Sequence, residues 1–316
     1  MSNKKFFTHS SLPEMYELDV GDGNSIYLEI SGRKDGLPIL FLHGGPGGHC
    51  RSEHHGLFDP NIFKSIIYDQ RGCGKSKPYR ILEKNDTNNL INDIEIIREF
   101  LKIDKLFILG GSWGATLALC YAQAYPKNVR GIILRSVFLG TMAEIYWAFI
   151  DGPKIFAPEL FQSFSEKAKS NNSKKIIEFY IEQILCNKSV YHSWIWHDYE
   201  RILSQINPDS HSFDSKEKIL QRQGCPNSPL METHFIKNKF FIQDNQIFNN
   251  MKKIEHIPGY IVQGRYDLIC PPVNAFKLHE KWKNSNIKLV NTAGHSSSDE
   301  GITENLSVAL EQIKNF

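Results

Sequence analysis

The chain has 316 residues, 41% hydrophobic and 23% charged, a balance that excludes disordered and collagen-like chains and leaves room for one large α/β unit with an insertion, or for two ordinary domains. Its 37 basic and 35 acidic residues sum to +2, which gives no electrostatic case for a nucleic-acid partner. Six scattered cysteines without a C-x-x-C pair exclude a zinc-finger spacing and argue against a disulfide framework.

Residues 1–9 are polar and lysine-bearing with no apolar stretch behind them. No signal peptide is expected, and a cytoplasmic location is. The longest apolar runs are strand-sized, so no membrane partner is expected.

In chain order, residues 25–31 (SIYLEIS) alternate with period two after the turn residues Gly21, Asp22, Gly23 and Asn24, which predicts a hairpin. Residues 39–42 (ILFL) form a short continuous apolar run that feeds the glycine-rich HGGPGG of 43–48. That is the pattern of a strand buried on both faces. Residues 66–68 (IIY) run into a tight turn, DQRGCG at 69–74, where a local ion pair between Asp69 and Arg71 is expected. Leu90, Ile91, Ile94, Ile97, Phe100 and Leu101 fall on one helical face. Strand 105–109 (KLFIL) leads into GGSWG, and a helix over 115–125 is stopped by Pro126. A strand follows at 131–134 (GIIL).

From 141 to 250 aromatic and polar residues mix without strand runs, and helices are expected. Strand signals return at 259–264 (GYIVQG) and 287–290 (IKLV), before a final helix. Alternating strands and helices imply a mostly parallel sheet covered on both faces. The economical organisation is an α/β core at 1–140 and 251–316, interrupted by a helical cap at 141–250. Such an insertion lies over the sheet edge where ligands bind in these folds.

Gly110-Gly111-Ser112-Trp113-Gly114 fits G-x-S-x-G between a strand and a helix, the context in which that motif presents a nucleophile. The plain alternative, a Gly-Ser turn that only packs helix on sheet, does not account for the HGG loop upstream. In this chain order the acid and then the base follow the serine. Asp267 lies in a loop just past the strand at 259–264, and only His279 and His295 follow it. His279 falls within a helix signal, whereas His295 stands in a loop after the last strand. Ser112, Asp267 and His295 are therefore the expected triad. The amides of Trp113 and Gly45 are the expected oxyanion donors. His49, His54 and His55 lack a third-ligand pattern, so no metal is expected, and no cofactor either.

Together HGGPGG (43–48), DQRGCGKS (69–76), GGSWG (110–114), GRYD (264–267) and GHS (294–296) resemble the proline iminopeptidases, prolyl aminopeptidases of α/β-hydrolase fold. The resemblance spreads from about residue 15 to the C-terminus. It implies an α/β-hydrolase core with an inserted helical cap, the same triad, and short peptides with N-terminal proline as substrates. It also implies cap glutamates that read the free amino terminus. Glu200 in Trp196-His197-Asp198-Tyr199-Glu200 is similar to one of these, although tyrosine stands where the family has a second tryptophan. Glu232 before Thr233-His234-Phe235 is similar to the other. Residues 133–139 resemble a further segment, with Ser136 where glycine is more usual. Phe138, Trp113 and Tyr199 are candidates to wall a proline-sized pocket. The alternative on the same core is hydrolysis of another small amide, an ester or a lactone.

Overall fold

The computed structural model describes residues 6–314. Eight strands form one sheet: β1 (Glu14–Asp19), β2 (Ser25–Gly32), β3 (Leu37–Leu42), β4 (Phe63–Tyr68), β5 (Leu106–Ser112), β6 (Val129–Val137), β7 (Gly259–Gly264) and β8 (Ser285–Val290). Their spatial order is β1-β2-β4-β3-β5-β6-β7-β8. β1 and β2 form the expected antiparallel hairpin, β2 runs antiparallel to β4, and every pairing from β4 to β8 is parallel. The mostly parallel α/β core expected from the sequence is thus present.

Helices α1 (Thr87–Phe100) and α2 (Trp113–Ala124) follow β4 and β5. The Asp86 side chain caps α1 by accepting from Asn89 N–H at 3.0 Å, which satisfies one of the donors a helix start leaves over. The chain between β6 and β7 carries α3 (Met142–Tyr146), α4 (Gly152–Phe156), α5 (Pro158–Lys167), α6 (Ser173–Ile181), α7 (Val190–Leu203), α8 (Lys216–Leu220), α9 (Ser228–Lys237) and α10 (Gln246–Asn249). After β7 come α11 (Pro272–Lys281) and, beyond β8, α12 (Ile302–Ile313). Among the described residues no helix is long and apolar enough to cross a membrane.

Strand alternation divides the interior into two layers. Leu106 and Ile108 of β5, with Ile132 and Leu134 of β6, pack toward α1, α2 and the helices between β6 and β7. Phe107, Leu109 and Ile133, one residue out of phase, pack toward α12. A sheet covered on both faces needs apolar side chains at every position, which is why these strands read as unbroken runs.

The turn after β4 is braced differently from the sequence expectation. Arg71 pairs with Asp93 of α1, its Nε and Nη2 donating to the two carboxylate oxygens at 2.8 and 2.7 Å. Asp69 is already engaged, because its carboxylate accepts the backbone N–H of Cys50 at 2.6 Å and of Lys75 at 2.7 Å.

Candidate active site

Ser112 stands at the junction of β5 and α2 with φ 56° and ψ −123°, a conformation that side-chain-bearing residues rarely keep without a reason. The turn is tight because α2 begins directly under β3. A Cβ on Gly114 would lie 2.2 Å from the Leu42 carbonyl oxygen, so only glycine lets the helix start there. As the first residue of α2, Trp113 has an N–H with no intrahelical acceptor. Gly44 lies against the serine, and a Cβ on it would sit 3.3 Å from Ser112 Cβ. Gly45 has φ +111°, which turns the loop past the elbow. Gln70 ties the two pieces together. It accepts from Trp113 Nε1 at 2.9 Å, and its amide nitrogen donates to the His43 carbonyl at 2.9 Å.

Asp267 and His295 come together from the loops after β7 and β8. The His295 Nδ1–H lies 3.0 Å from each Asp267 oxygen. The aspartate also accepts from Cys270 N–H at 2.7 Å, Ile269 N–H at 3.1 Å and Gln263 Nε2 at 3.1 Å. With Nδ1 committed to Asp267, Nε2 is the ring nitrogen left for a hydroxyl. The His295 carbonyl is held in turn, accepting from Arg135 Nη1 at 2.5 Å and Ser136 Oγ at 3.3 Å. Ser136 occupies a bulge where β6 slips register opposite Gly111 and Ser112, and it keeps φ +49°. A bulge beside a site re-aims a side chain, and here it aims a hydroxyl at the loop of the histidine.

A largely apolar slot at Ser112 is lined by Phe138, Ile145, Phe149, Phe240 and Cys270, with the carboxylates of Glu144, Glu200 and Glu232 also on its wall. Phe138, a candidate wall from the sequence, is among its lining residues. Tyr199 does not line the slot. It is fully buried, its ring stacks 4.0 Å from that of Phe164, and its hydroxyl donates to the Phe149 carbonyl at 3.0 Å. The Trp113 ring is likewise packed in the interior, 4.8 Å from the Phe235 ring.

The two glutamates face one another. Glu232 Oε2 accepts from Trp196 Nε1 at 2.6 Å, while its buried Oε1 has no donor partner. Burial, and then the neighbouring Glu200 charge, hold the Glu232 carboxyl well above the usual carboxylate range. Burial raises Glu200 as well, against the opposing influence of its contact with Glu232 and of His295. Two facing carboxylates, one of them buried, need a proton or a cation between them. The site therefore combines a strained serine, an oriented imidazole and a cation-seeking acidic pair.

The sequence reading missed Cys270. Its Sγ, an Asp267 oxygen and a His295 ring nitrogen lie within 4.8 Å of one another. Burial and the Asp267 charge push the thiol up, while the Ser112 hydroxyl pulls it the other way. The group stays a thiol at neutral pH and forms part of the slot wall. Its only sequence signal was its position three residues after Asp267. Gln70 was also missed, since a buried glutamine in a turn gives no local sign of the two loops it joins.

Residues 38–302 match the family model of the alpha/beta hydrolase fold. The chain is 37% identical over 302 residues to a proline iminopeptidase of Arabidopsis thaliana, covering 94% of this chain and 79% of that one. It is also 37% identical over 304 residues to a proline iminopeptidase of Neisseria meningitidis serogroup B, covering 94% of each. Among solved structures, the proline iminopeptidase of Mycobacterium smegmatis superposes with TM-score 0.64 at 15% identity, covering 96% of this chain and 99% of that one. An alpha/beta fold family hydrolase from Bacillus anthracis gives TM-score 0.63 at 17% identity over the same shares. At such identities these two structures share the fold.

Proposed function

Because this chain belongs to the proline iminopeptidase family of α/β-hydrolases, we propose that it is a serine aminopeptidase that releases N-terminal proline from short peptides. The observation that carries the proposal is the Glu200–Glu232 pair, Glu232 buried and Glu200 half-buried, among the residues that line the slot with Ser112. An aminopeptidase has to recognise a cationic amino terminus on the same residue as the scissile carbonyl. Facing carboxylates with an unpartnered buried oxygen are a fit for that cation. The apolar walls suit a pyrrolidine ring.

In the mechanism that follows, the protonated prolyl nitrogen, a secondary ammonium, sits between Glu200 and Glu232 and fixes the prolyl carbonyl over Ser112. His295 Nε2 takes the hydroxyl proton as Ser112 attacks, and Asp267 holds the tautomer and stabilises the imidazolium. The amides of Trp113 and Gly45 receive the oxyanion, each contributing roughly 3–4 kcal/mol to the transition state. His295 then protonates the departing amine, leaving a prolyl ester on Ser112. Water, deprotonated by His295, hydrolyses that ester and restores the enzyme.

In this division of labour residues 1–140 and 251–316 carry the chemistry and 141–250 form the cap that carries selection. All six cysteines are free thiols, which supports a reducing, cytoplasmic setting. The test is quantitation of free proline released from a peptide such as Pro-Ala-Ala by wild type and Ser112→Ala. Release by wild type and none by the variant is expected. Proline release by a clean Ser112→Ala preparation would sink the proposal.

A further inference from the structure

The cap helix α7 presents a polar stripe to the reacting centre, and most of it is left without a task by the mechanism. His197, Glu200, Arg201 and Ser204 recur at i, i+3, i+4 and i+7, the spacing of one helical face. All four line a second cavity of about 250 Å³, and Gly45, Glu232 and His295 lie on its other side. This cavity therefore touches an oxyanion donor, the acidic pair and the imidazole that hands a proton to the departing amine. A leaving nitrogen has to be within hydrogen-bond reach of that imidazole, so the departing peptide begins here. The end of α7 is fixed against the same loop, because Ser296 N–H donates to the Ser204 carbonyl at 3.1 Å.

Arg201 is the group on this stripe with unspent charge. Its contact with Asp198 is long, at 3.7 Å, and its side chain is 45% exposed. Asp198 gives its other oxygen to Arg222 at 2.8 Å. The guanidinium is thus loosely held at the mouth of a cavity whose nearest charged neighbours on the site are acidic. A short proline peptide is a zwitterion, with a cation at its start and a carboxylate at its end. Along α7 it would meet Glu200 and then Arg201 in matching order.

We propose that this cavity is the subsite of the leaving product, and that Arg201 binds the free carboxylate of a short one, favouring proline dipeptides. The inference rests on the aminopeptidase reading. A planar guanidinium suits a carboxylate, and at a solvent-open rim the pair is worth about three- to fivefold in kcat/KM.

The experiment compares kcat/KM for Pro-Ala and Pro-Ala-NH2 at low ionic strength in wild type, Arg201→Ala and Arg201→Lys. Wild type is expected to favour the free acid about three- to fivefold, through KM, with the preference shrinking as salt is added. The ratio should fall to about one in Arg201→Ala and be partly restored by Arg201→Lys. Equal cleavage of both peptides by wild type, or an unchanged ratio in Arg201→Ala, would overturn the subsite and leave the aminopeptidase reading standing. Cleavage of neither peptide by wild type would overturn that reading and this one together.

Discussion

Glu232→Gln separates the function of the acidic pair from its cost to the fold. The glutamine amide keeps the carboxylate's shape. Its oxygen can still accept from Trp196, which now donates at 2.6 Å. Its nitrogen supplies the hydrogen that the unpartnered Glu232 Oε1 lacks toward Glu200. What is lost is one negative charge facing the substrate's cation. A hydrogen bond to a charged group contributes about 1.5–3 kcal/mol, so kcat/KM for proline p-nitroanilide should fall about tenfold to a hundredfold, mainly through KM. The pH profile should change too. Protons compete with the substrate's ammonium for the pair, so in wild type affinity declines as pH falls through a value raised well above the ordinary 4.5. Glu232→Gln removes that upper titration and leaves the one set by Glu200.

Stability should move the other way. A carboxyl whose folded pKa is raised contributes stability that is present below its unfolded value and lost as pH rises through the folded one. At pH 8 the wild-type pair is therefore a burden, and the variant should be more stable by about 0.5–2 kcal/mol, with the gap closing toward pH 5. Urea unfolding at the two pH values measures this. An unchanged KM with an unchanged pH profile would refute the reasoning, as would an equal loss of stability at both pH values.

Three further outcomes are expected. Asp267→Asn should lower kcat about 10³–10⁴-fold, because an amide can turn its N–H₂ toward Nδ1 and reverse the tautomer; a loss below about tenfold would remove Asp267 from the proposed triad. Arg71→Ala should cost about 3–5 kcal/mol in urea unfolding, since it strands Asp93, which has no exposed side-chain surface. The double variant Arg71→Met/Asp93→Leu should recover most of that loss, and a single-variant cost below about 1 kcal/mol would contradict the bidentate pair. Tyr199→Phe should cost about 1 kcal/mol by releasing the Phe149 carbonyl while leaving KM for proline substrates in place; a clear rise in KM would return Tyr199 to the binding surface.

The core was legible because its grammar is local. Strands buried on both faces read as apolar runs, and the glycines that follow them mark where helix and loop backbones come within contact of the sheet. The candidate triad residues could be picked out for the same reason, since each stands at or just after the end of a recognisable strand. The cap was harder. Its helices are short, and two continue as wider five-residue turns at Trp147–Asp151 and Glu182–Cys186, which blur the helical period.

Tyr199 and Glu200 show what a closer use of that period could have given. Trp196, Tyr199 and Leu203 fall at i, i+3 and i+7, the spacing of one helical face, so Tyr199 goes with the apolar side of the helix. Trp196, Tyr199 and Leu203 form the buried face of α7, and Glu200 belongs with His197, Arg201 and Ser204 on the other. The pairing of Glu200 with Glu232 came from resemblance alone, because nothing in a single sequence tells one cap carboxylate from another. Arg71 was misassigned because proximity in sequence was taken as proximity in space. Backbone amides of two other loop residues had already occupied Asp69.

The central claim is that the Glu200–Glu232 pair selects a free prolyl amino terminus for attack by Ser112. The most direct measurement compares turnover of proline p-nitroanilide with its N-acetylated form, in wild type and Glu200→Gln. The account expects rapid cleavage of the free amine only, weakened by the substitution. Equal cleavage of both forms, or cleavage of neither while simple esters are hydrolysed, would contradict it and leave Glu200 and Glu232 without the role given to them.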